Sequence, residues 1–135
     1  MTVSRVPRWM PLHSTEVCIL PAGTWWDAVR VPLALGVRAL GMLGDGTGAV
    51  IRDGYGSILY WLVPPGEADG WHVPEVQILG PGSHVAVPPP RRTAGPGLYW
   101  QVPLSYDREC TSPARLHAAL AVPRLTARPV PWLVP

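Results

Sequence analysis

Phenylalanine, lysine and asparagine are absent from the 135 residues of this chain. Seven Trp and four Tyr therefore supply all of the aromatic side chains, and all eleven basic side chains are Arg. The codons of the three missing amino acids are AT-rich, so a GC-rich genome is the simplest explanation of their absence. Because there is no Lys with which Arg can be contrasted, the choice of Arg does not indicate a site for bidentate anion binding.

Charged residues are also scarce, at 15% of the chain with a net charge of +2. A nucleic-acid-binding protein usually carries a dense basic stripe, because its affinity grows with the number of phosphates that it neutralises. Here the only adjacent basic pair is Arg91–Arg92. Electrostatics alone therefore does not indicate a nucleic-acid-binding protein, and the 47% hydrophobic content argues against charge-driven disorder.

Cysteine and long apolar runs are limited as well. Cys18 and Cys110 stand alone, in no CxxC or other ligand-spaced arrangement. Two Arg and two Pro interrupt the first apolar stretch, unlike a signal peptide, and no apolar run reaches the roughly 18 residues that a membrane helix needs. We therefore expect a reduced, cytoplasmic protein without a membrane segment.

Proline and glycine are abundant instead, with 18 and 14 residues, and they favour short strands and many turns. A chain of 135 residues has the length of one domain. We expect a loosely attached arm over residues 1–15, one α+β domain over 16–122, and a proline-rich tail over 123–135.

The hydrophobic pattern predicts a small, mostly antiparallel sheet, with one helix after the second strand and another near the C-terminus. The expected strands cover 16–20, 24–31, 48–52, 57–63, 75–79, 83–87 and 97–102, and the helices cover 32–43 and 112–122. One hairpin turns at Asp53-Gly54, and a second joins 75–79 to 83–87 through Gly80-Pro81-Gly82.

Both helices carry local boundary signals. Leu33, Val37, Leu40 and Leu43 are spaced as one apolar stripe of the first helix, and Gly44 follows as a C-terminal cap. In the second helix, Ser112 is the expected N-cap, with Pro113 at the first helical position.

The second half of the chain has a distinctive order of segments. The strand GSILYWLVP is followed by VQILGPGSHVAVPPPRRTAGPGLYWQV. This order resembles the N-terminal catalytic domain of bacterial bifunctional primase-polymerases, in the archaeo-eukaryotic primase family. Trp25-Trp26-Asp27 and the following helix are similar to that domain's leading strand and helix, so the resemblance covers about residues 17–103.

The resemblance also implies that the family's catalytic residues are missing. Asp27 matches one acid of the metal-binding pair on the first strand, but Val29 replaces the other. Ile58 stands at the position of the catalytic His, Gln77 at that of the third-motif Asp, and Leu79 at that of a nucleotide-contacting Arg. Because one carboxylate cannot assemble a two-metal phosphoryl-transfer site, we expect no primase or polymerase activity.

Asp27 is a candidate site residue in its own right. It lies between apolar residues on a predicted core strand, where a buried carboxylate needs a partner. The sequence leaves three roles open for Asp27: an acid that remains from the metal-binding pair, a new general base, or one partner of an ion pair with Arg30 or Arg52. The rule that buried charges are paired favours the ion pair.

The aromatic residues come as three adjacent pairs, Trp25–Trp26, Tyr60–Trp61 and Tyr99–Trp100, on three predicted strands. Alternation along a strand sends the two members of a pair to opposite faces of the sheet. Either both sets pack in the core, which helices covering the sheet favour, or one set forms an exposed platform for stacking bases. The candidate binding residues are Trp25, Trp26, Arg30, Tyr60, Arg91, Arg92 and Tyr99.

The histidines are candidates for acid–base chemistry. His72 and His84 are expected to face each other near the second hairpin, with Asp69 and Glu75 close by. Their spacing matches no metal-ligand signature, so we predict no metal and no other cofactor. Arg91 and Arg92 after the triple proline form either a grip for a phosphate or carboxylate or, more commonly, a solvated loop.

These patterns leave three hypotheses about function. The first is a non-catalytic, primase-polymerase-like binding or regulatory module for a nucleotide, single-stranded nucleic acid or a protein. The second is a small enzyme that uses Asp27, His72 or His84 on a small metabolite. The third is a structural protein whose exposed aromatics bind a partner, including a second copy of the chain.

Overall fold

A computed structural model of the chain describes residues 7–10, 15–105 and 109–122. The elements are β1 (Cys18–Pro21), β2 (Asp27–Pro32), α1 (Leu33–Leu43), β3 (Val50–Asp53), β4 (Ile58–Val63), β5 (Gln77–Leu79), β6 (His84–Val87), β7 (Leu98–Val102) and α2 (Pro113–Leu120). A short 3-10 turn, Gly44–Gly46, follows α1. The predicted α+β fold, with one helix after the second strand and one near the C-terminus, is confirmed.

The strands form two antiparallel sheets. Five strands make the main sheet in the order β5-β2-β4-β3-β7, and β1 pairs with β6 in a separate two-stranded ribbon. Because β2 and β3 both run antiparallel to β4, they are parallel to each other, and α1 connects them. The segment β2-α1-β3-β4 is therefore a split β-α-β unit with β4 inserted at its centre.

The main sheet has a core on each face. On one face, α1 and α2 cover the side chains of Val29, Leu59 and Trp61, and we call this the helix-side core. On the other face, the ribbon covers Ala28, Leu62 and other side chains, in what we call the ribbon-side core. Since β4 is covered on both faces, it is apolar nearly throughout, as the sequence pattern indicates.

Helix α1 packs on the sheet through one large residue and two small ones. Its buried positions are Leu35, Gly36 and Ala39. The predicted stripe is wrong at Val37, which is 54% exposed. Gly36 lies so close to β4 that a Cβ atom there would be 2.6 Å from Leu59 Cδ1. There is therefore no room for a larger side chain at this position of α1.

The helix boundaries follow local rules. Gly44 caps α1 with φ 53°, and its N–H donates to the carbonyl of Leu40. The Ser112 hydroxyl accepts from the backbone N–H of Arg115 at 3.4 Å, with Pro113 in the first turn of α2. Both caps are as predicted.

Neither helix of the described chain is long and apolar enough to span a bilayer.

The second predicted hairpin does not form. Strand β5 pairs with β2 and strand β6 pairs with β1, so the turn at Gly80–Ser83 carries the chain from the main sheet to the ribbon. Val85 and Val87 of β6 are thereby buried in the ribbon-side core. A hairpin with the edge strand β5 would have lost that burial, which is the physical reason for the difference.

The N-terminal segment is better attached than the sequence pattern predicts. Trp9 and Met10 are buried in the ribbon-side core. The Trp9 ring packs edge-on against Trp26 with the centroids 5.6 Å apart, and its Nε1 donates to Glu109 Oε1 at 3.0 Å. The prediction of a loose arm is therefore wrong for residues 7–10, while the predicted tail, 123–135, lies outside the described residues.

Candidate functional site

A concave surface of the described chain lies on the helix side, between α2 and the turns that follow β4. Residues 64–76 form a series of turns that pack Ala68 and Val73 into the helix-side core. This packing places Trp71 and His72 beside His117 of α2. We call the surface between segment 64–76 and α2 the histidine groove.

The groove contains two adjoining cavities that share His72 and His117 as lining residues. One cavity, of about 910 Å³, is also lined by Glu67, Trp71 and Ser112 and is called the Trp71 cavity. The other cavity, of about 450 Å³, is called the Arg38 cavity. Its further lining residues include Leu35, Arg38, Val73, Glu75 and Leu120.

Aromatic packing orients one of the two imidazoles. The rings of Trp71 and His117 meet edge to face, with centroids 4.9 Å apart and an interplanar angle of 69°. Trp71 is half-buried and packs against the helix-side core, whereas His72 is exposed. The groove therefore has an aromatic wall on one side and a solvent-accessible imidazole at its opening.

Arg38 of α1 brings a permanent positive charge to the second cavity. Its Nη2 donates to the carbonyl of Val122 at 2.8 Å, just beyond the end of α2. Its Nε has no hydrogen-bond partner among the described residues. A guanidinium at this end of a helix interacts favourably with the unpaired carbonyl groups.

The backbone of segment 64–76 is strained next to this cavity. Glu75 adopts φ 70°, a left-handed conformation that costs a non-glycine residue about 1–3 kcal/mol. The Val76 N–H donates to the carbonyl of Val73 at 3.1 Å and closes the tight turn. The turn presents Pro74 and Glu75 at the edge of the Arg38 cavity. Such strain is typical of ligand-binding loops.

The Asp27 carboxylate holds the start of segment 64–76 in place through a hydrogen bond. Its side chain is fully buried, and Oδ2 accepts a hydrogen bond from the Gly66 N–H at 2.8 Å. The other oxygen, Oδ1, has no partner within the described part of the chain. Asp27 therefore anchors the start of segment 64–76. Because it has no exposed surface, its predicted role as a general base is not supported by this geometry.

The ion pair predicted for Asp27 is wrong. Arg30 is an odd number of positions further along β2, so its side chain projects from the opposite face of the sheet. Arg52 lies elsewhere, with Nη1 donating to Gln101 Oε1 and the guanidinium 5.9 Å from the centroid of the Tyr99 ring. A backbone N–H thus takes the place of the expected cation.

The predicted pairing of His72 with His84 is also wrong. His72 lies in the groove on the helix side, whereas His84 is exposed on the ribbon, opposite Pro21 and on the other side of the main sheet. The imidazole that does join His72 is His117, which sequence reasoning missed. Its only sequence signal is a position on the predicted second helix. Over 7–10, 15–105 and 109–122, no group of three or more His, Cys, Asp or Glu could hold a metal ion.

The aromatic pairs do not form one stacking platform. Trp26, Trp61 and Trp100 are fully buried, and Trp61 lies in the helix-side core while the other two lie in the ribbon-side core. Trp26 therefore contributes to packing and is not a binding residue. Two indole N–H groups are paired: Trp61 Nε1 donates to Thr47 Oγ1, and Trp100 Nε1 donates to the carbonyls of Pro88 and Pro89.

The partners of these tryptophans are separated as well. Tyr60 projects from the ribbon-side face, Tyr99 shares the opposite face with Arg52, and Trp25 is 49% exposed before β2 begins. Alternation along the strands is thus confirmed for the pairs of β4 and β7. A single platform built from Trp25, Tyr60 and Tyr99 is excluded, because they lie on different surfaces.

The remaining predicted binding residues also lie outside the groove. Arg30 is half-buried on β2, in register with Tyr60. Arg91 and Arg92 lie on the exposed loop after β6, where Arg92 Nη2 donates to the carbonyl of Pro96 at 2.8 Å. That bond closes the loop on itself, so Arg92 has a structural role there.

The positions matched to the primase-polymerase motifs do not converge. Asp27 lies at the start of β2, whereas Ile58 pairs with Pro32 at its end, about 17 Å along the strand. Gln77 pairs with Arg30 and so shares the ribbon-side face, opposite to Asp27. In comparisons with known proteins, no family model, curated protein or solved structure matches the chain. The primase-polymerase resemblance stays a prediction.

Proposed function

We propose that the protein is a non-catalytic binding module and that its ligand is a nucleotide held in the histidine groove. The observation that carries the proposal is that Trp71, His72 and His117 line one cavity and that the two imidazoles also line the cavity beside it. These rings come from two parts of the chain that the fold brings together. The nucleotide is the ligand class that the primase-polymerase resemblance implies.

The size and lining of the groove support a small flat ligand. The Arg38 cavity, of about 450 Å³, lies within the range of roughly 300–1,000 Å³ that is usual for small-molecule sites, and the Trp71 cavity, of about 910 Å³, is shallow and open to solvent. Stacking of a base on an aromatic side chain contributes about 1–3 kcal/mol. Trp71 and the two imidazoles are the groups that would supply this contact.

The absence of catalysis is supported by the surroundings of Asp27. This carboxylate is fully buried and is engaged by the Gly66 N–H, and Val29 occupies the next position on the same face of β2. Metal-assisted phosphoryl transfer needs acidic ligands that can reach divalent ions at a triphosphate. Asp27 in this position is suited to holding segment 64–76 in place.

The experiment is a titration of the full chain with the four common nucleoside monophosphates, followed by calorimetry. We expect at least one of them to bind, and we expect Trp71→Ala to weaken that binding by about 5- to 150-fold, the loss of one stacking contact. The matched control is Trp25→Ala, which removes an exposed indole outside the groove and should leave the affinity unchanged. Circular dichroism checks that both variants fold.

Two results would contradict the proposal. One is the absence of binding for all four nucleotides at millimolar concentration. The other is an equal loss of affinity in Trp71→Ala and Trp25→Ala, which would show that the groove is not the site.

The second candidate function is acid–base chemistry on a small metabolite, and it is favoured by one observation. His72, His117 and Glu67 line the same cavity, and imidazole and carboxylate groups are the usual general acids and bases of enzymes. Turnover of a metabolite that is abolished by His72→Gln, together with unchanged nucleotide affinity, would favour this enzyme over the binding module.

A further inference from the structure

We propose that the Arg38 cavity is the phosphate subsite of the histidine groove and that the Trp71 cavity is its base subsite. The ligand class is then a nucleoside monophosphate in one orientation. This inference rests on the proposed function, because it assigns the two ends of the nucleotide to the two cavities. It adds a residue, Arg38, that the sequence analysis did not single out.

The first step of the argument is the unused hydrogen-bonding capacity of Arg38. A guanidinium has five N–H donors in a planar fork that matches phosphate oxygens. Here Nη2 donates one of its two N–H groups to the Val122 carbonyl, while Nε is buried without an acceptor among the residues that are described and is out of reach of a ligand. The Val122 contact holds the side chain in place and uses one of the four N–H groups on the two terminal nitrogens, so the capacity for an incoming anion lies at this end of the guanidinium.

The second step is the local environment. Leu35, Val73 and Leu120 line the same cavity as Arg38. Apolar walls exclude water, so a charge pair between Arg38 and a bound anion is screened less than a pair at the open surface. The exposed Arg91 and Arg92 have no such walls and lie outside the groove. Arg38 is therefore the stronger candidate for an anion contact.

The third step is the charge of the side chains that line the groove, which limits how much negative charge a ligand can bring. Arg38 is the one permanently charged cation that lines either cavity within the described chain, and the two imidazoles accompany it. Glu67 lines the Trp71 cavity and Glu75 lines the Arg38 cavity. A triphosphate would place several negative charges near these two carboxylates, whereas a monophosphate pairs with Arg38 alone. The charge distribution thus favours the monophosphate.

The orientation follows from the distribution of side chains. Trp71 lines only the larger cavity and Arg38 lines only the smaller one, while His72 and His117 line both. A base that stacks on Trp71 therefore leaves its phosphate on the Arg38 side. The two imidazoles lie at the junction, where the sugar of the nucleotide would be.

The test compares adenosine and guanosine with their 5′-monophosphates and triphosphates, using the wild-type chain, Arg38→Met and the control Arg91→Met. Both variants remove one positive charge, but only Arg38 lines the groove. In the wild type and in Arg91→Met we expect the monophosphate to bind about tenfold or more tightly than the nucleoside, and more tightly than the triphosphate. In Arg38→Met the monophosphate and the nucleoside should bind equally.

Several outcomes would overturn the assignment. One is a monophosphate that binds no more tightly than its nucleoside in the wild type. Another is an Arg38→Met variant in which the affinities for both ligands fall by the same factor, because Arg38 would then act through the fold alone. Tighter binding of the triphosphate than of the monophosphate would overturn the orientation and the charge argument.

Inorganic phosphate separates this inference from the proposed function. If no nucleoside or nucleotide binds but phosphate does, in an Arg38-dependent manner by phosphorus NMR, the anion subsite stands and the nucleotide proposal fails. If phosphate also fails to bind, both are refuted. Should Arg38→Met not fold, the wild type supplies the readout: sodium chloride must weaken the monophosphate while leaving the nucleoside unchanged.

Discussion

Replacing Gly36 by Ala should destabilise the protein even though Ala is the better helix former. Gly36 is buried where α1 crosses β4. An added Cβ would lie 2.6 Å from Leu59 Cδ1, 3.2 Å from its Cγ and 3.4 Å from its Cβ. Leu59 is fully buried in a strand that is covered on both faces, so it has little room to move away.

Two opposing terms set the size of the effect. Removing Gly from a helix interior gains about 0.5–1 kcal/mol. Forcing an extra methyl group into a packed core costs typically about 1–3 kcal/mol. The overpacking term is larger, so we expect a net loss of about 0.5–2 kcal/mol in the free energy of unfolding. For a chain of this size that corresponds to a decrease in Tm of about 2–8 °C.

The same helix supplies the matched control. Gly41 is exposed, and a Cβ added there meets no atom within 4 Å. Gly41→Ala should therefore stabilise the protein by about 0.5–1 kcal/mol from helix propensity alone. Urea unfolding followed by Trp fluorescence measures both variants. If Gly36→Ala is as stabilising as Gly41→Ala, the close approach of α1 to β4 is wrong.

A double-mutant cycle identifies the clash itself. Leu59→Val shortens the side chain that the new methyl group would meet. The cost of Gly36→Ala should fall by about 1 kcal/mol in that background, because residues in contact couple by roughly 0.5–3 kcal/mol. Additive effects would show that the destabilisation of Gly36→Ala has another cause.

Two further predictions concern buried polar groups. Asp27→Ala should lower the free energy of unfolding by about 1–3 kcal/mol, because it leaves the Gly66 N–H unpaired, whereas Asp27→Asn keeps an acceptor for that N–H and should cost less than Asp27→Ala. The control is Asp69→Asn at an exposed position, which should change the free energy of unfolding, measured in urea, by no more than about 0.5 kcal/mol. Equal losses of stability in the two Asp27 variants would indicate an unrecognised cation at that carboxylate. Burial, followed by the nearby charges of Glu109 and Glu67, raises the pKa of Cys110 from 9.0 to about 11. Because the folded state holds this proton more tightly than the unfolded state, the thiol's contribution to stability should decrease as the pH rises from about 9 to 11. Iodoacetamide at pH 9 should accordingly label Cys110 much more slowly in the native protein than in urea, and equal rates would contradict the burial.

Features that depend on neighbouring residues were predictable from the sequence. Asp53 Oδ1 accepts from the N–H groups of Tyr55 and Gly56, so the first hairpin turn is stabilised within four residues of chain. The caps at Gly44 and Ser112 are equally local. Such signals need no knowledge of the fold, because each donor and acceptor belongs to the same turn.

The candidate site was less predictable because its contacts are non-local. His72 was identified as a candidate, but its partner His117 lies on a different element. Arg38 lies outside the apolar stripe predicted for the first helix, so the hydrophobic pattern did not indicate a binding residue there. Asp27 was recognised as a buried acid, yet its acceptor role toward Gly66 depends on how segment 64–76 folds back onto β2. No spacing rule relates these positions.

The sequence by itself determined the α+β class, the order of the elements and the local turns and caps, because these follow from periodicity and short-range hydrogen bonding. The tertiary structure decided which strands pair, and it placed β5 beside β2 and β6 beside β1. It also decided which face of α1 is buried and which imidazoles share a cavity. The physical reason is that apolar burial is not directional: several pairings satisfy the same pattern, and only the competition among all long-range contacts selects one of them.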